Sequence, residues 1–86
     1  MTADWRPSLG WALELRHDAV RDTDLLLMPE RIVVLRGAAA AVLRLCDGSR
    51  TVSRIIEELS AEYPGAPVAD DVHEFLHRVR QEGWLR

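Results

Sequence analysis

The sequence predicts an α+β domain with a winged-helix-turn-helix-like layout: three short antiparallel N-terminal strands followed by three α-helices. Three observations carry this. Apolar residues alternate with polar ones in the first part of the chain, and after Gly37 they recur at helical spacing. Two short apolar runs flank Pro29-Glu30, the composition of a hairpin. Val42 to Leu59, VLRLCDGSRTVSRIIEEL, reads as two short amphipathic helices joined by one polar turn. Strands first and helices after is the α+β order.

The elements follow in turn. Met1 to Gly10 is polar and interrupted by Pro7, and is expected to be a loose arm. Trp11, Leu13 and Leu15 alternate with Ala12, Glu14 and Arg16, a period of two that predicts a half-buried first strand. His17 to Asp24 carries three aspartates and reads as a loop. Leu25 to Met28, the Pro29-Glu30 turn and the β-branched Arg31 to Leu35 predict an antiparallel hairpin that joins the first strand in one sheet. Ala39, Val42, Leu43 and Cys46 share one helical face, and Gly48 ends that helix. Thr51 is placed to cap the second helix, whose stripe is Val52, Ile55, Ile56, Leu59 and Tyr63. Tyr63 to Pro67 breaks the chain. A third helix runs from about Val68 to Glu82, with Val72, Phe75, Leu76 and Val79 as its stripe and Asp70 and Asp71 in its first turn. Gly83 stops it, and Trp84 is free to fold back onto the core.

The bulk properties narrow the function classes. The chain has 86 residues, enough for one small domain, 1–86. A domain of that size buries only about 60–65% of its unfolded surface. Eleven basic residues are scattered among fourteen acidic ones for a net charge of −3, with no basic face of the kind nucleic-acid binders present. The one cysteine excludes an intrachain disulfide. No apolar run resembles a signal or a membrane span, so a cytoplasmic protein is expected.

Four features carry candidate chemistry. His73-Glu74-Phe75-Leu76-His77 matches the H-E-x-x-H zinc-protease pattern letter for letter. A catalytic zinc needs a third protein ligand and an open cleft, and the remaining histidine, His17, falls in the expected loop. The pair is therefore read as a helix flank, with His73, His77 and Arg80 together beside the buried stripe, and no metal or cofactor is expected. Cys46, on an apolar face, reads as a small core hydrophobe. The helix–turn–helix unit allows DNA binding as the alternative function, but Arg54 lies among Glu57, Glu58 and Glu62, and Arg78 and Arg80 face Asp70, Asp71, Glu74 and Glu82. The Arg31 to Leu35 strand is the strongest candidate surface. At a sheet edge it can accept an extended peptide as an added strand; paired or covered, it is only core. The residues alone leave both open.

The order of the motifs resembles one family. Leu26-Leu27-Met28-Pro29-Glu30-Arg31, then Leu45-Cys46-Asp47-Gly48 with Thr51-Val52, then a Phe75-Leu76 helix and a terminal Gly83-Trp84-Leu85 are similar to the PqqD proteins of pyrroloquinoline quinone biosynthesis. The likeness runs from about Pro7 to Leu85. It implies a cytoplasmic, non-catalytic peptide chaperone without cofactor. Its partners would be a PqqA-like precursor peptide and a PqqE-like radical S-adenosylmethionine enzyme, which cross-links a glutamate and a tyrosine of the peptide. In the wider family the peptide adds to the third strand and packs against the third helix.

Carried onto this chain, the resemblance implies a peptide edge of Arg31, Ile32, Val33, Val34 and Leu35, with Arg36 beside it. His73, Leu76, His77 and Arg80 are the expected helix wall, because Arg80 with Arg31 or Arg36 can meet acidic side chains. The family commonly has Asn after the strand-ending Leu; here Arg36-Gly37 stands, and Gly37 is expected at the N-cap. An open edge also invites self-association, so a homodimer through edge pairing or hairpin exchange is a further expectation.

Overall fold

A computed structural model describes residues 5–86. Its elements run β1 (Glu14–Asp18), β2 (Thr23–Leu27), β3 (Ile32–Leu35), α1 (Ala39–Arg44), α2 (Val52–Glu62) and α3 (Val68–Gln81). This is the α+β order expected. The sheet is antiparallel in the order β1-β2-β3, which leaves β3 at an edge.

The β2–β3 hairpin turns at Pro29-Glu30, and the Met28 N–H donates to the Arg31 carbonyl at 2.9 Å. Cross-strand partners share a face of the sheet. Leu26 pairs with Val33 and Leu15 and points inward; Leu26 is fully buried. Leu25 and Leu27 pair with Val34 and Ile32 on the outer face, where Ile32 is 63% and Val34 47% exposed.

The first strand differs from the expectation at both ends. Trp11 lies in a turn rather than a strand and is 89% exposed, with the Arg86 guanidinium 5.0 Å from its ring centre. His17, Asp18, Thr23 and Asp24, expected in a loop, belong to the ladder. Polar side chains bridge the strands here. His17 Nδ1 meets Asp24 Oδ1 at 2.9 Å across the strands, and Arg44 of α1 reaches the same oxygen at 2.8 Å. The real turn is residues 19–22, closed by the Val20 and Arg21 N–H groups donating to Asp18 Oδ1.

The helices pack largely as their stripes predict, with two corrections. Tyr63, expected in the α2 stripe, is 45% exposed at the helix end. The first helix stops at Arg44, short of Cys46 and Gly48, with Leu45 as its C-cap. Val42 and Leu43 of α1, Val52, Ile55 and Leu59 of α2, and Val72, Leu76 and Val79 of α3 are all buried. Each such side chain contributes about 1.5–3 kcal/mol by leaving water. The Thr51 hydroxyl caps α2 by accepting from the Arg54 N–H. At α1 the N-cap is Ala38 rather than Gly37, with no side-chain cap. Gly37 instead takes φ +61°, a left-handed turn between β3 and the helix that no side chain favours.

The loose arm expected for residues 1–10 is corrected over its second half; residues 1–4 lie outside the described residues. Pro7 is fully buried. Ser8 and Arg86 exchange both backbone hydrogen bonds, at 3.1 and 2.9 Å, and the Gly10 N–H donates to the Trp84 carbonyl. The Gly48 N–H donates to the Pro7 carbonyl at 3.0 Å. Gly48 has φ +84°, a conformation that strains other side chains, so glycine makes this turn.

Candidate functional site

The edge of β3 has a defined hydrogen-bonding parity. Met28 and Arg31 form a bonded pair, and the register proceeds without a bulge. Bonded and non-bonded pairs alternate in an antiparallel ladder. Leu26–Val33 and Asp24–Leu35 are therefore the bonded pairs, and Leu27–Ile32 and Leu25–Val34 the open ones. The N–H and C=O groups of Ile32 and Val34 consequently point away from β2. Among the described residues, neither N–H finds another backbone acceptor. A row of four polar backbone groups faces outward, as strand addition requires.

A cavity of about 400 Å³ adjoins the C-terminal end of this edge. Arg36, Ala38 and Ala39 close one side, where β3 passes into α1. Val42, Leu59, Val68 and Val72 form an apolar floor. Tyr63 and Ala66 come from the α2–α3 connection, and Asp71, Glu74, Phe75 and Arg78 form the α3 wall. The Arg78 guanidinium lies 5.7 Å from the centre of the Phe75 ring. The cavity is thus apolar below and charged at the rim, the usual build of a pocket for a side chain.

Of the residues expected at the site, Arg31 to Leu35 supply the edge and Arg36 lines the cavity. His73, Leu76, His77 and Arg80 do not join them. Together with Trp5 and Val52 they line a separate cavity of about 330 Å³ on the opposite flank of α3, while Leu76 also belongs to the core. The Arg80 guanidinium stacks 4.1 Å over the Trp5 ring. Asp71, Glu74, Phe75 and Arg78, which the sequence reading did not single out, are the α3 residues that share the cavity with Arg36. The available signal was Phe75: it sits at the margin of the buried stripe, one or two turns from Asp71 and Arg78, and opposite the histidines.

The other candidate chemistries resolve locally. Cys46 is buried, and its Sγ donates to the Val42 carbonyl at 3.3 Å. Burial, with the Asp47 carboxylate beside it, pushes the thiol up to about 12, far from a reactive thiolate. His17 is held by Asp24 and by Asp22 at 3.6 Å, in the hairpin rather than near α3. The hydrogen bond from His17, and then the Arg44 guanidinium, hold the Asp24 carboxyl below its usual range against the opposing effect of desolvation. Among the described residues, no group of three His, Cys, Asp or Glu side chains comes together as a metal site. No helix of the described residues is long and apolar enough to cross a membrane.

The chain has clear relatives. The family model described as coenzyme PQQ synthesis protein D (PqqD) matches residues 25–85. A PqqA binding protein of Pseudomonas entomophila (strain L48) is 35% identical over 82 residues, covering 94% of this chain and 86% of that protein. A PqqA binding protein of Xanthomonas oryzae pv. oryzae (strain KACC10331 / KXO85) is 38% identical over 88 aligned residues, covering 100% of this chain and 96% of that protein. Among solved structures, the solution NMR structure of the PqqD truncation of Methylobacterium extorquens PqqCD, described as a functional stand-alone RiPP recognition element, superposes with a TM-score of 0.78. It is 36% identical and covers 99% of this chain and 93% of its own. The crystal structure of PqqD from Xanthomonas campestris gives 0.59 at 33% identity, covering 100% and 98%. A family match over most of the chain, near-complete alignments above 30% identity and the shared fold lead to one conclusion: this chain belongs to the PqqD family.

Proposed function

We propose that this chain is a non-catalytic, cytoplasmic chaperone of pyrroloquinoline quinone biosynthesis. It binds a PqqA-type precursor peptide as a fourth strand on β3 and presents it to a PqqE-like radical S-adenosylmethionine enzyme. The outward row of Ile32 and Val34 backbone groups, followed by Arg36 at the mouth of the cavity against α3, is the observation that most supports strand addition. The names of the relatives support the peptide, since several are PqqA binding proteins. In this reading the backbone bonds give affinity whatever the peptide sequence, and one apolar side chain enters the cavity of Val42, Leu59, Val72 and Phe75. Arg36 and Arg78 at the rim favour an acidic neighbour of that side chain. Holding the peptide close to the enzyme raises its effective concentration there.

The testing experiment is an amide-resolved NMR titration with a PqqA peptide. The expected result is a set of shifts along Arg31 to Arg36 and at Asp71, Phe75 and Arg78. Shifts confined to His73, His77 and Arg80 would overturn the choice of flank, and no shifts at high peptide concentration would overturn the function.

A further inference from the structure

The flank of α3 that faces away from β3 carries a second cleft that strand addition does not use. Its floor is Val52 and Leu76, both buried, and its walls are Trp5, His73, His77 and Arg80. Among the described residues no carboxylate lines it, although α3 carries Asp70, Asp71 and Glu74 elsewhere and the whole chain is net acidic. Arg16, Arg44, Arg50 and Arg54 are each paired with a carboxylate at 2.8–3.0 Å. Arg80, among the described residues, is not; its guanidinium is instead held flat over the Trp5 indole at 4.1 Å. Trp5 is in turn tied down by its Nε1–H, which donates to the Arg86 carbonyl at 3.3 Å. The cation is therefore pre-positioned and still has its N–H donors to offer. His73 and His77, one helical turn apart, add ring N–H donors on the same side.

We propose that this cleft is a docking site for a partner protein, and that the segment it takes is an acidic side chain next to an aromatic or aliphatic one. Charge complementarity selects the acidic group: among the described residues, every ionisable side chain in the lining is basic. The apolar floor and indole wall select its neighbour. The openness of the cleft selects a protein over a small molecule, since His73, His77 and Arg80 are exposed and cannot enclose a small ligand. Because the cleft lies across α3 from the β3 edge, both surfaces can be occupied at once. The proposal stands independently of strand addition.

The test uses the full chain and two synthetic probes, Ac-Glu-Phe-Asp-Glu-NH2 and its uncharged counterpart Ac-Gln-Phe-Asn-Gln-NH2, in amide-resolved NMR titrations. The acidic probe is expected to shift the Trp5 indole N–H, Val52, His73, His77 and Arg80, and the uncharged probe to leave them in place. Arg80→Gln should weaken the acidic probe roughly tenfold, the scale of one charge-assisted hydrogen bond. Arg21→Gln, on the far hairpin turn, should leave it unchanged. If Arg80→Gln loosens Trp5 and the fold, His73→Gln/His77→Gln supplies the second variant, with a severalfold loss expected. Equal shifts from both probes, shifts centred on Arg36 and Arg78, or full affinity in both variants would each overturn the proposal.

Discussion

Val34→Pro separates the two edges of one strand. Proline removes a backbone N–H and fixes φ near the value of an extended chain. At Val34 that N–H points outward, away from β2, so the sheet loses no hydrogen bond of its own. Proline is tolerated on edge strands in this orientation, and the preceding Val33 is already extended as proline requires. Folding stability should therefore change by less than about 1 kcal/mol. An added peptide strand has four outward groups to bond, two each from Ile32 and Val34. Each net bond is worth about 0.5–1.5 kcal/mol, and a peptide carbonyl left without a donor adds a further desolvation cost of about 1–3 kcal/mol. The combined loss of about 1.5–4.5 kcal/mol corresponds to roughly 10- to 2000-fold weaker binding. Val33→Pro is the matched control. Its N–H bonds to β2, so that variant loses a ladder bond and leaves the Leu26 carbonyl without its donor, a cost of about 1–3 kcal/mol. Titration calorimetry with a PqqA peptide, alongside urea unfolding, reads both effects. A folded Val34→Pro chain with wild-type affinity would refute strand addition at this edge. A Val34→Pro chain as unstable as Val33→Pro would refute the parity itself.

Four further outcomes are expected. Glu58 is held below its ordinary range first by the Arg50 hydrogen bond at 2.8 Å and then by Arg54 at 3.0 Å, while Asp47 is lowered chiefly by Ser49. A carboxyl lowered in the folded state contributes stability above its unfolded pKa, near 4, and loses it as pH falls through the folded value. The urea midpoint should thus fall on acidification below about pH 5, and less steeply in Glu58→Gln; equal slopes would remove Glu58 from the effect. Cys46, buried and with its thiol pushed up to about 12, should resist iodoacetamide at pH 8 until the chain is unfolded; prompt native labelling would contradict its burial. Ile55→Ala, at a fully buried position, should cost about 2–5 kcal/mol. That is a substantial share of the roughly 4–13 kcal/mol available to a domain of this size, so the urea midpoint should fall well below that of the wild type; an unchanged midpoint would contradict the burial. Finally, the unprotected β3 edge should drive reversible dimerisation that a PqqA peptide suppresses; sedimentation showing only monomer at millimolar chain would exclude it.

Local chemistry made most of the fold legible. Pro29-Glu30 between two apolar runs, Gly48 with Thr51 three residues on, and the 3.6-residue stripes of α2 and α3 each state an element and its buried face within a few residues. What was illegible is non-local. Nothing within residues 5–10 signals that they pair with residues 84–86 and 47, because the partners are remote in sequence. The alternation of Trp11, Leu13 and Leu15 satisfied the strand template, yet a turn with an exposed indole satisfies it equally. The site was half legible for the same reason. A β-branched run after a hairpin turn announces β3. The stripe of α3 states that Val72, Leu76 and Val79 go inside, but it carries no information on which flank meets β3. That choice depends on how α3 crosses the other helices, and the structure puts His73, His77 and Arg80 on the flank opposite the one that shares a cavity with Arg36.

The Ser8–Arg86 pairing closes a loop spanning almost the whole chain, while β3 is closed by a two-residue turn. Loop-closure entropy grows with the length enclosed, so these two contacts belong to opposite ends of the folding sequence. The hairpin can form early and locally; the strap of residues 5–10 locks last and opens first. Trp5 stands on that strap. By this reasoning the β3 edge is expected to outlast a partial opening of the domain, whereas the Trp5–Arg80 cleft requires the strap to be closed. Hydrogen exchange should find the Ser8 and Arg86 amides less protected than those of Leu26 and Val33, and anything that recognises the cleft would be recognising completed folding.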